Sequence, residues 1–399
     1  MKKIFKKCKA LSFLVLPLLF GSASTALAQT VNGTGSTFPL LLYQDMITND
    51  PIVGSWSYGP ALGGSEHAAF LTGSTVSFSG SETALTSADL ATYSQSGTWG
   101  PLIQVPAIAT SVVLPYKEVG ITTLNLTTAE VCRIFSFSPA SRTWNQITTA
   151  ADDGGVGSTN RIQIVYRSEP TGSGATYLLS RFLNAACGPF LPAGKFFTVS
   201  NVFKTMVATA LPTTLPAQED QNFDGFPDAW VGVNGDAGMS GAVAGNQMHR
   251  LGYISPDPLY TGVTNNHVAR IDGLLPTIVG TWLSLPSPPS GAARQSPFNW
   301  VPAYSIPINY YPIWGTTNLL FSQCYAGGFG PGTKGAAIKD FLTKLMVVGA
   351  YSRTIFDHNF VLMFTPWRTA IKEAFLEGSD GNGLAFGNPA DCNGIPGRP

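Results

Sequence analysis

The chain has 399 residues, with 23 Lys+Arg against 23 Asp+Glu and only 12% charged residues, about half the usual ~25%. The first 28 residues hold five lysines and no acid, which leaves 18 basic against 23 acidic residues, a net of about −5. That balance excludes a nucleic-acid partner, which needs a basic stripe to displace counterions from phosphates, while 44% hydrophobic residues supply a large core spread over about two domains.

The N-terminal MKKIFKKCKA is a basic n-region, LSFLVLPLLFG an apolar run, and Ala26-Leu27-Ala28 a small-x-small cleavage pattern. Residues 1–28 therefore read as a signal peptide, with the mature chain starting near Gln29 and exported to the periplasm or secreted. The apolar run is too short to span a bilayer, which takes ~20 residues. Cys8 precedes it and does not look like a lipid-attachment site. No later segment is a transmembrane candidate, so no stable membrane anchor is expected.

Further along, Gly33-Thr34-Gly35-Ser36-Thr37-Phe38-Pro39 precedes the helical run LLLYQDMI, and Gly63-Gly64-Ser65-Glu66 precedes HAAFL. Small hydroxyl residues before a helix leave backbone N–H groups pointing outward. VSFSGSETAL, LIQVPAIATSVVLPY and RIQIVYRSE read as strands. TTAEVCRIF, GATYLLSRFLNAAC, GAAIKDFLTKLMVVGAY and TPWRTAIKEAFLEG carry helical periodicity. The alternation indicates an α/β protein with largely parallel sheets. The stretches 210–245 and 280–300, rich in Pro, Gly and Ser, read as long surface excursions.

The densest chemistry lies in Arg167-Ser168-Glu169-Pro170-Thr171-Gly172-Ser173-Gly174-Ala175-Thr176, between a strand and a helix. Free amides and hydroxyls at a helix start, backed by the helix dipole, make an anion cradle. Arg167 at the strand end adds a bidentate fork, and Glu169 is placed to hold it. Three such turns can converge at the carboxyl ends of the strands, where open sheets bind ligands.

Asp220-Gln221-Asn222-Phe223-Asp224-Gly225-Phe226-Pro227-Asp228 is a second, separate signal. Oxygen-bearing side chains at Asp220, Asn222, Asp224 and Asp228, the Phe226 carbonyl and the Gly225 turn match the start of a calcium loop within 219–231. Position twelve is Val231 rather than Glu, so an EF-hand is incomplete, and calcium is an optional ligand rather than a required cofactor. An Asp/Asn-rich surface turn is the plain alternative.

In an exported chain the even set Cys132, Cys187, Cys324 and Cys392 favours disulfides. Three pairings are open; spacing hints at Cys132–Cys187 and Cys324–Cys392. Catalytic signals are weak. The four histidines (His67, His249, His267 and His358) lack metal-ligand spacing, and Ser173 is not in a G-x-S-x-G elbow.

The blocks VNGTGSTFPLLLYQ, GSETALTSADLATY, GPLIQVPAIATSVVLPY, LTTAEVCRIFS, VYRSE…GSGAT…RFLNAAC, YISPD, TNLLFSQCYA and CNGIPGRP resemble, in order, the DING proteins. These are relatives of the phosphate-binding subunit of bacterial phosphate ABC transporters. The resemblance runs from about residue 31 onward and lapses near 190–245 and 275–300. It implies a two-lobed, type II-like periplasmic-binding-protein fold of two mixed sheets flanked by helices, phosphate in the cleft, and the disulfide pairing above. It further implies a monomer that serves an ABC permease.

Carried over by residue, phosphate would meet Thr37, Phe38, Arg167, Ser173 and Gly174, with Glu169 as support. Ala175 stands where the family usually has Thr, Ser65 would serve the second turn, and Glu82 replaces a family Asp that faces the ligand. The lobes are expected at 29–114 plus 301–399 and at 115–300. The reading is non-catalytic phosphate binding. A weak phosphatase, or a calcium-stabilised adhesive protein with a degraded anion site, are the alternatives.

Overall fold

The computed structural model describes residues 30–49, 55–61, 67–93, 95–148, 157–262 and 267–399; the expected signal peptide and the turn carrying Ser65 lie outside them. Among the described residues no helix is long and apolar enough to cross a membrane.

Two sheets organise the chain. The first has the strand order Val361–Leu362, Leu102–Ser111, Trp314–Ser322, Phe78–Ser81, Val31–Gly35, Trp56–Pro60. Val31–Gly35 is parallel to both neighbours, whereas Trp314–Ser322 is antiparallel to Phe78–Ser81 and Leu102–Ser111. The second has the order His267–Val268, Pro115–Lys117, Arg250–Leu251, Gln163–Arg167, Val231–Val233. Here Gln163–Arg167 pairs in parallel with Arg250–Leu251 and Val231–Val233, and the remaining pairs are antiparallel.

The sheets are therefore mixed, not largely parallel, and the longest ladder is antiparallel. Every residue of Leu102–Ser111 and Trp314–Ser322 is buried. A strand covered on both faces shows a continuous apolar run that carries no sign of direction.

Four helices form where periodicity places them. Thr128–Phe135 opens on a reciprocal Thr127–Glu130 capping box, and Gly174–Ala186 opens on Ser173. Lys334–Thr343 and Thr365–Ile371 each run on into a π turn that ends at a left-handed glycine, Gly349 and Gly378. Disulfides join Cys132 to Cys187 and Cys324 to Cys392, so the first ties two of these helices together.

The chain passes between the sheets at 112–114, where Val113 and Ile254 exchange both backbone hydrogen bonds (2.9 and 3.0 Å) and Val112 N–H donates to Ile313 C=O at 2.9 Å. The stretches read as surface excursions carry structure. Residues 210–245 supply the strand Val231–Val233 and the helix Gly235–Ala244, in which glycines and alanines mute the amphipathic signal. Residues 286–300 pack on helices of the first sheet. Trp367 Nε1 donates to Pro286 C=O at 2.6 Å, Arg294 pairs with Glu373 at 2.9 Å, and the buried Trp300 ring lies 4.5 Å from Phe375. Residues 286, 294 and 300, expected in the second lobe, thus contact helices beside the first sheet.

A buried histidine couples these parts. His358 Nδ1 lies 2.7 Å from Asp257 Oδ2, and Nε2 lies 3.3 Å from Asp45 Oδ2 on the helix Leu40–Asn49. The hydrogen bond to Asp257 raises the His358 pKa above its usual value, against the opposing pull of burial. Its contribution to stability is complete below the unfolded pKa of about 6.5 and is lost as pH rises through the higher folded value. A melting-temperature series from pH 6 upward should fall more steeply for the native chain than for H358Q; parallel curves would show that the bridge carries no such dependence.

Candidate functional site

The first sheet presents the turn 35–39. Gly35 has φ +148°, and a Cβ there would fall 2.0 Å from the Gly80 carbonyl, so only glycine allows the strands Val31–Gly35 and Phe78–Ser81 to approach this closely. Ser36 N–H donates to Gly80 C=O at 2.9 Å. The Phe38 N–H is used within the turn, donating to Ser36 Oγ at 3.1 Å, and the Phe38 ring is buried against Phe360. The Thr37 hydroxyl faces the other lobe.

Arg167, at the end of Gln163–Arg167, meets it there. The guanidinium is buried; Nη2 donates to Thr37 Oγ1 at 2.9 Å and to Glu169 Oε1 at 2.5 Å, Nε to Glu169 Oε1 at 2.8 Å, and Nη1 to Asp236 Oδ1 at 3.2 Å. Glu169 Oε1 also accepts the Gly235 N–H at 2.7 Å, which fixes the clamp to the start of the helix Gly235–Ala244. Burial alone would lower the Arg167 pKa, but Asp236 and Glu169 overcome it and hold the group above the ordinary arginine value. Arg167 is a permanently charged fork in a low-dielectric cleft.

Asp236 was not legible beforehand. It is buried; desolvation pushes its pKa up, opposed by the Arg167 charge and a Ser255 backbone hydrogen bond. The signal that points to it is Asn234-Gly235-Asp236, a loop residue and a glycine ahead of an acid in a first helical turn.

The third wall is the start of Gly174–Ala186. Ser173 is the N-cap: its Oγ accepts the Thr176 N–H at 3.5 Å, and its own N–H donates to Asn201 C=O at 2.8 Å. Gly174 and Ala175 form the buried first turn. Tyr253 Oη links this helix to the clamp, lying 2.7 Å from Thr176 Oγ1 and accepting the Arg167 N–H at 3.0 Å. Glu82, which follows Phe78–Ser81 in the first sheet, is fully buried, and a Cβ built on Gly174 would fall 1.7 Å from its Oε2. Arg167 thus joins Thr37 and Glu169 directly, Tyr253 ties it to the start of Gly174–Ala186, and Glu82 sits against Gly174.

The loop 220–228 lies apart from this constellation. Asp220 accepts the Asp224 and Gly225 N–H groups at 2.9 Å each, Asp224 Oδ1 accepts the Phe226 N–H at 2.9 Å, and Asp228 accepts the Gln221 N–H at 2.6 Å. Asn222 Oδ1 also accepts from Asp224 N–H at 3.0 Å, and Lys204 stands 3.5 Å from Asp224. Phe226 packs its ring on Tyr166 and Trp230. Among the described residues no three His, Cys, Asp or Glu side chains gather closely enough to hold a metal ion.

No family model matches the chain. Alkaline phosphatase L of Pseudomonas aeruginosa is 33% identical over 401 residues, spanning 97% of this chain and 99% of that protein. A phosphate-binding protein from an unknown prokaryotic organism is 33% identical over 410 residues, 92% of this chain and 100% of that one. Among solved structures, a high-affinity periplasmic phosphate-binding protein, PfluDING, determined with phosphate bound, matches with a TM-score of 0.76 at 31% identity, over 93% of this chain and 100% of its own. With that identity sustained over nearly the whole length and the two-sheet architecture shared, this chain belongs to the DING family of phosphate-binding proteins.

Proposed function

We propose that the chain is an exported, non-catalytic receptor for inorganic phosphate or a related tetrahedral oxyanion. The observation that carries this reading is the buried Arg167 guanidinium, held by Glu169 and Asp236 and reaching Thr37 across the cleft, beside the start of Gly174–Ala186. Of the five N–H groups of an arginine, these bonds use four. An oxyanion would take the remaining Nη1 hydrogen and displace Thr37 from Nη2, so that Thr37 then donates its own hydroxyl. The first amides of the helix supply the other donors, with the dipole behind them. The Glu82 carboxylate repels a fully deprotonated anion but accepts a proton from monohydrogen phosphate, which favours phosphate and arsenate over sulfate.

Several contacts favour binding over hydrolysis. Ser173 is committed as a helix cap, and the histidines are engaged elsewhere. His67 faces Asp89, His249 pairs with Glu118, His267 packs on Tyr116, and His358 bridges Asp257 and Asp45. None offers a base to a nucleophile in the cleft. Delivery of the anion to an ABC permease belongs to the same reading. For calcium to bind, Asp220, Asn222, Asp224, the Phe226 carbonyl and Asp228, an all-oxygen set suited to a hard cation, would have to draw closer together than they stand here.

Isothermal titration of the mature protein, metal-stripped and calcium-loaded, with phosphate, arsenate and sulfate tests both statements. Heat with phosphate and arsenate but not sulfate is expected in either metal state. The absence of any oxyanion heat would sink the receptor reading, and the absence of calcium heat would reduce 220–228 to a surface turn.

A further inference from the structure

We propose that the second lobe carries a separate binding site for a small aromatic carboxylate. The site is a cavity walled by residues 136–142 on one side and 190–216 on the other, and Arg142 and Lys195 are the groups that hold the carboxylate. The inference stands apart from the phosphate reading and does not depend on it.

The cavity measures about 330 Å³, within the ~300–1,000 Å³ of small-molecule sites, which are mostly apolar with a few placed polar groups. Its apolar surface comes from the stiff rings of Pro139, Pro192, Pro212 and Pro216 and from Phe190, which is 37% exposed. The two walls are tied at their base. Phe190 ends the turn that follows Cys187, and Ser136 follows the helix Thr128–Phe135 that carries Cys132, so the disulfide Cys132–Cys187 joins both segments. Lys195 Nζ donates to Leu211 C=O at 2.6 Å and to Thr213 Oγ1 at 3.2 Å, which fastens the second wall to itself. Walls held this way leave little to be ordered on binding.

The charges of the cavity are unbalanced. Among the described residues no acid lines it, and no carboxylate pairs with Arg142 or Lys195; Arg161, by contrast, has Glu219. Arg142 Nε donates to Phe137 C=O at 3.3 Å, and the guanidinium lies 4.4 Å from the Phe137 ring centroid. Those contacts account for where the group stands. The Nη1 and Nη2 hydrogens, four of the five that an arginine has, find no acceptor among the described residues. Burial, and behind it the charge of Arg161, lowers the Arg142 pKa, the mark of a cation without a counter-ion.

A planar fork with its Nη groups unspent matches a carboxylate bidentately. At ~30 Å³ per water-sized group, the cavity takes about eleven non-hydrogen atoms, enough for one ring and its carboxylate. Flat apolar rings on the walls suit an aromatic body. The start of Gly174–Ala186 faces the phosphate clamp, whereas this cavity lies past the other end of that 13-residue helix. At 1.5 Å per residue the two sites are ~20 Å apart.

The test is calorimetric titration of the mature protein with benzoate, with saturating phosphate and again without it. Benzamide supplies the ring without the charge, and acetate the charge without the ring. Benzoate is expected to bind with a Kd of about 0.1–1 mM, the range for a ligand of this size, equally in both conditions. Benzamide and acetate should bind at least ~10-fold more weakly, and R142Q and K195Q should each weaken benzoate about tenfold. Both variants should keep the phosphate titration and the melting temperature of wild type; K195Q decides alone where R142Q melts early. The site is overturned by the absence of benzoate heat, by its loss when phosphate is present, by benzamide binding as tightly, or by undiminished binding in the folded variants.

Discussion

Arg167→Ala is expected to weaken phosphate binding by at least a thousandfold, roughly 4 kcal/mol, and so to erase it from a titration. The alanine removes the group that bonds Thr37, Glu169 and Asp236 together. It also leaves the Asp236 carboxylate buried without its cation, which costs about 3–5 kcal/mol of stability. A loss of binding through misfolding is separated from a loss of chemistry by the double variant R167A/D236N. That variant removes the stranded charge and should recover most of the stability without recovering binding. Arg167→Lys keeps the charge but cannot span all three partners at once, and an intermediate loss of ten- to a hundredfold is expected. R167A binding phosphate within tenfold of wild type would remove the guanidinium from the site and with it the proposed function.

The second large effect concerns stability alone. Arg398 is fully buried and has no carboxylate partner among the described residues. Its Nε donates to Ser322 Oγ at 2.7 Å, Nη1 to the Gly73 and Val76 carbonyls at 3.0 and 2.6 Å, and Nη2 to the Phe70 carbonyl at 2.7 Å. The guanidinium lies 3.8 Å from the Phe70 ring centroid and 4.1 Å from that of Trp99, so cation–π attraction replaces a counter-ion. Burial lowers its pKa, which records the cost of keeping it charged there.

Arg398→Ala should cost about 3–5 kcal/mol in a denaturant titration, since it opens a cavity and strands three carbonyls, while the Ser322 hydroxyl keeps Tyr93 Oη at 2.8 Å. Arg398→Met keeps most of the volume and should cost less. A loss below about 1 kcal/mol for the alanine would mean that water replaces the guanidinium without penalty.

What sequence reasoning reached follows from how locally each feature is encoded. Thr37, Arg167, Glu169, Ser173 and Gly174 sit in short turns next to strong strand or helix patterns, and Arg167 bonds both Thr37 and Glu169. Asp236 escaped because its helix, GDAGMSGAVA, is built from small residues whose burial leaves almost no periodic trace. The position of Glu82 is written in the sequence, but its reach across the cleft is not. That contact joins residues 82 and 174 and depends on the packing of two sheets. The segment 280–300 misled for a similar reason: its prolines and serines mark turns correctly, yet Trp300 anchors those turns in the core.

The antiparallel ladder of Leu102–Ser111 with Trp314–Ser322 has a consequence for how the chain is made. All strands of the second sheet lie between residues 115 and 268, so that sheet is complete while the first still lacks the strand at its centre. Closing the first sheet means joining segments about 200 residues apart, the kind of contact that slows folding most. Until Trp314–Ser322 is synthesised, Phe78–Ser81 and Leu102–Ser111 each keep an open edge that pairs readily with another chain. The nascent protein is therefore most vulnerable to aggregation when its second lobe is already whole, and the last fifth or so of the sequence acts as the cover that ends the exposure.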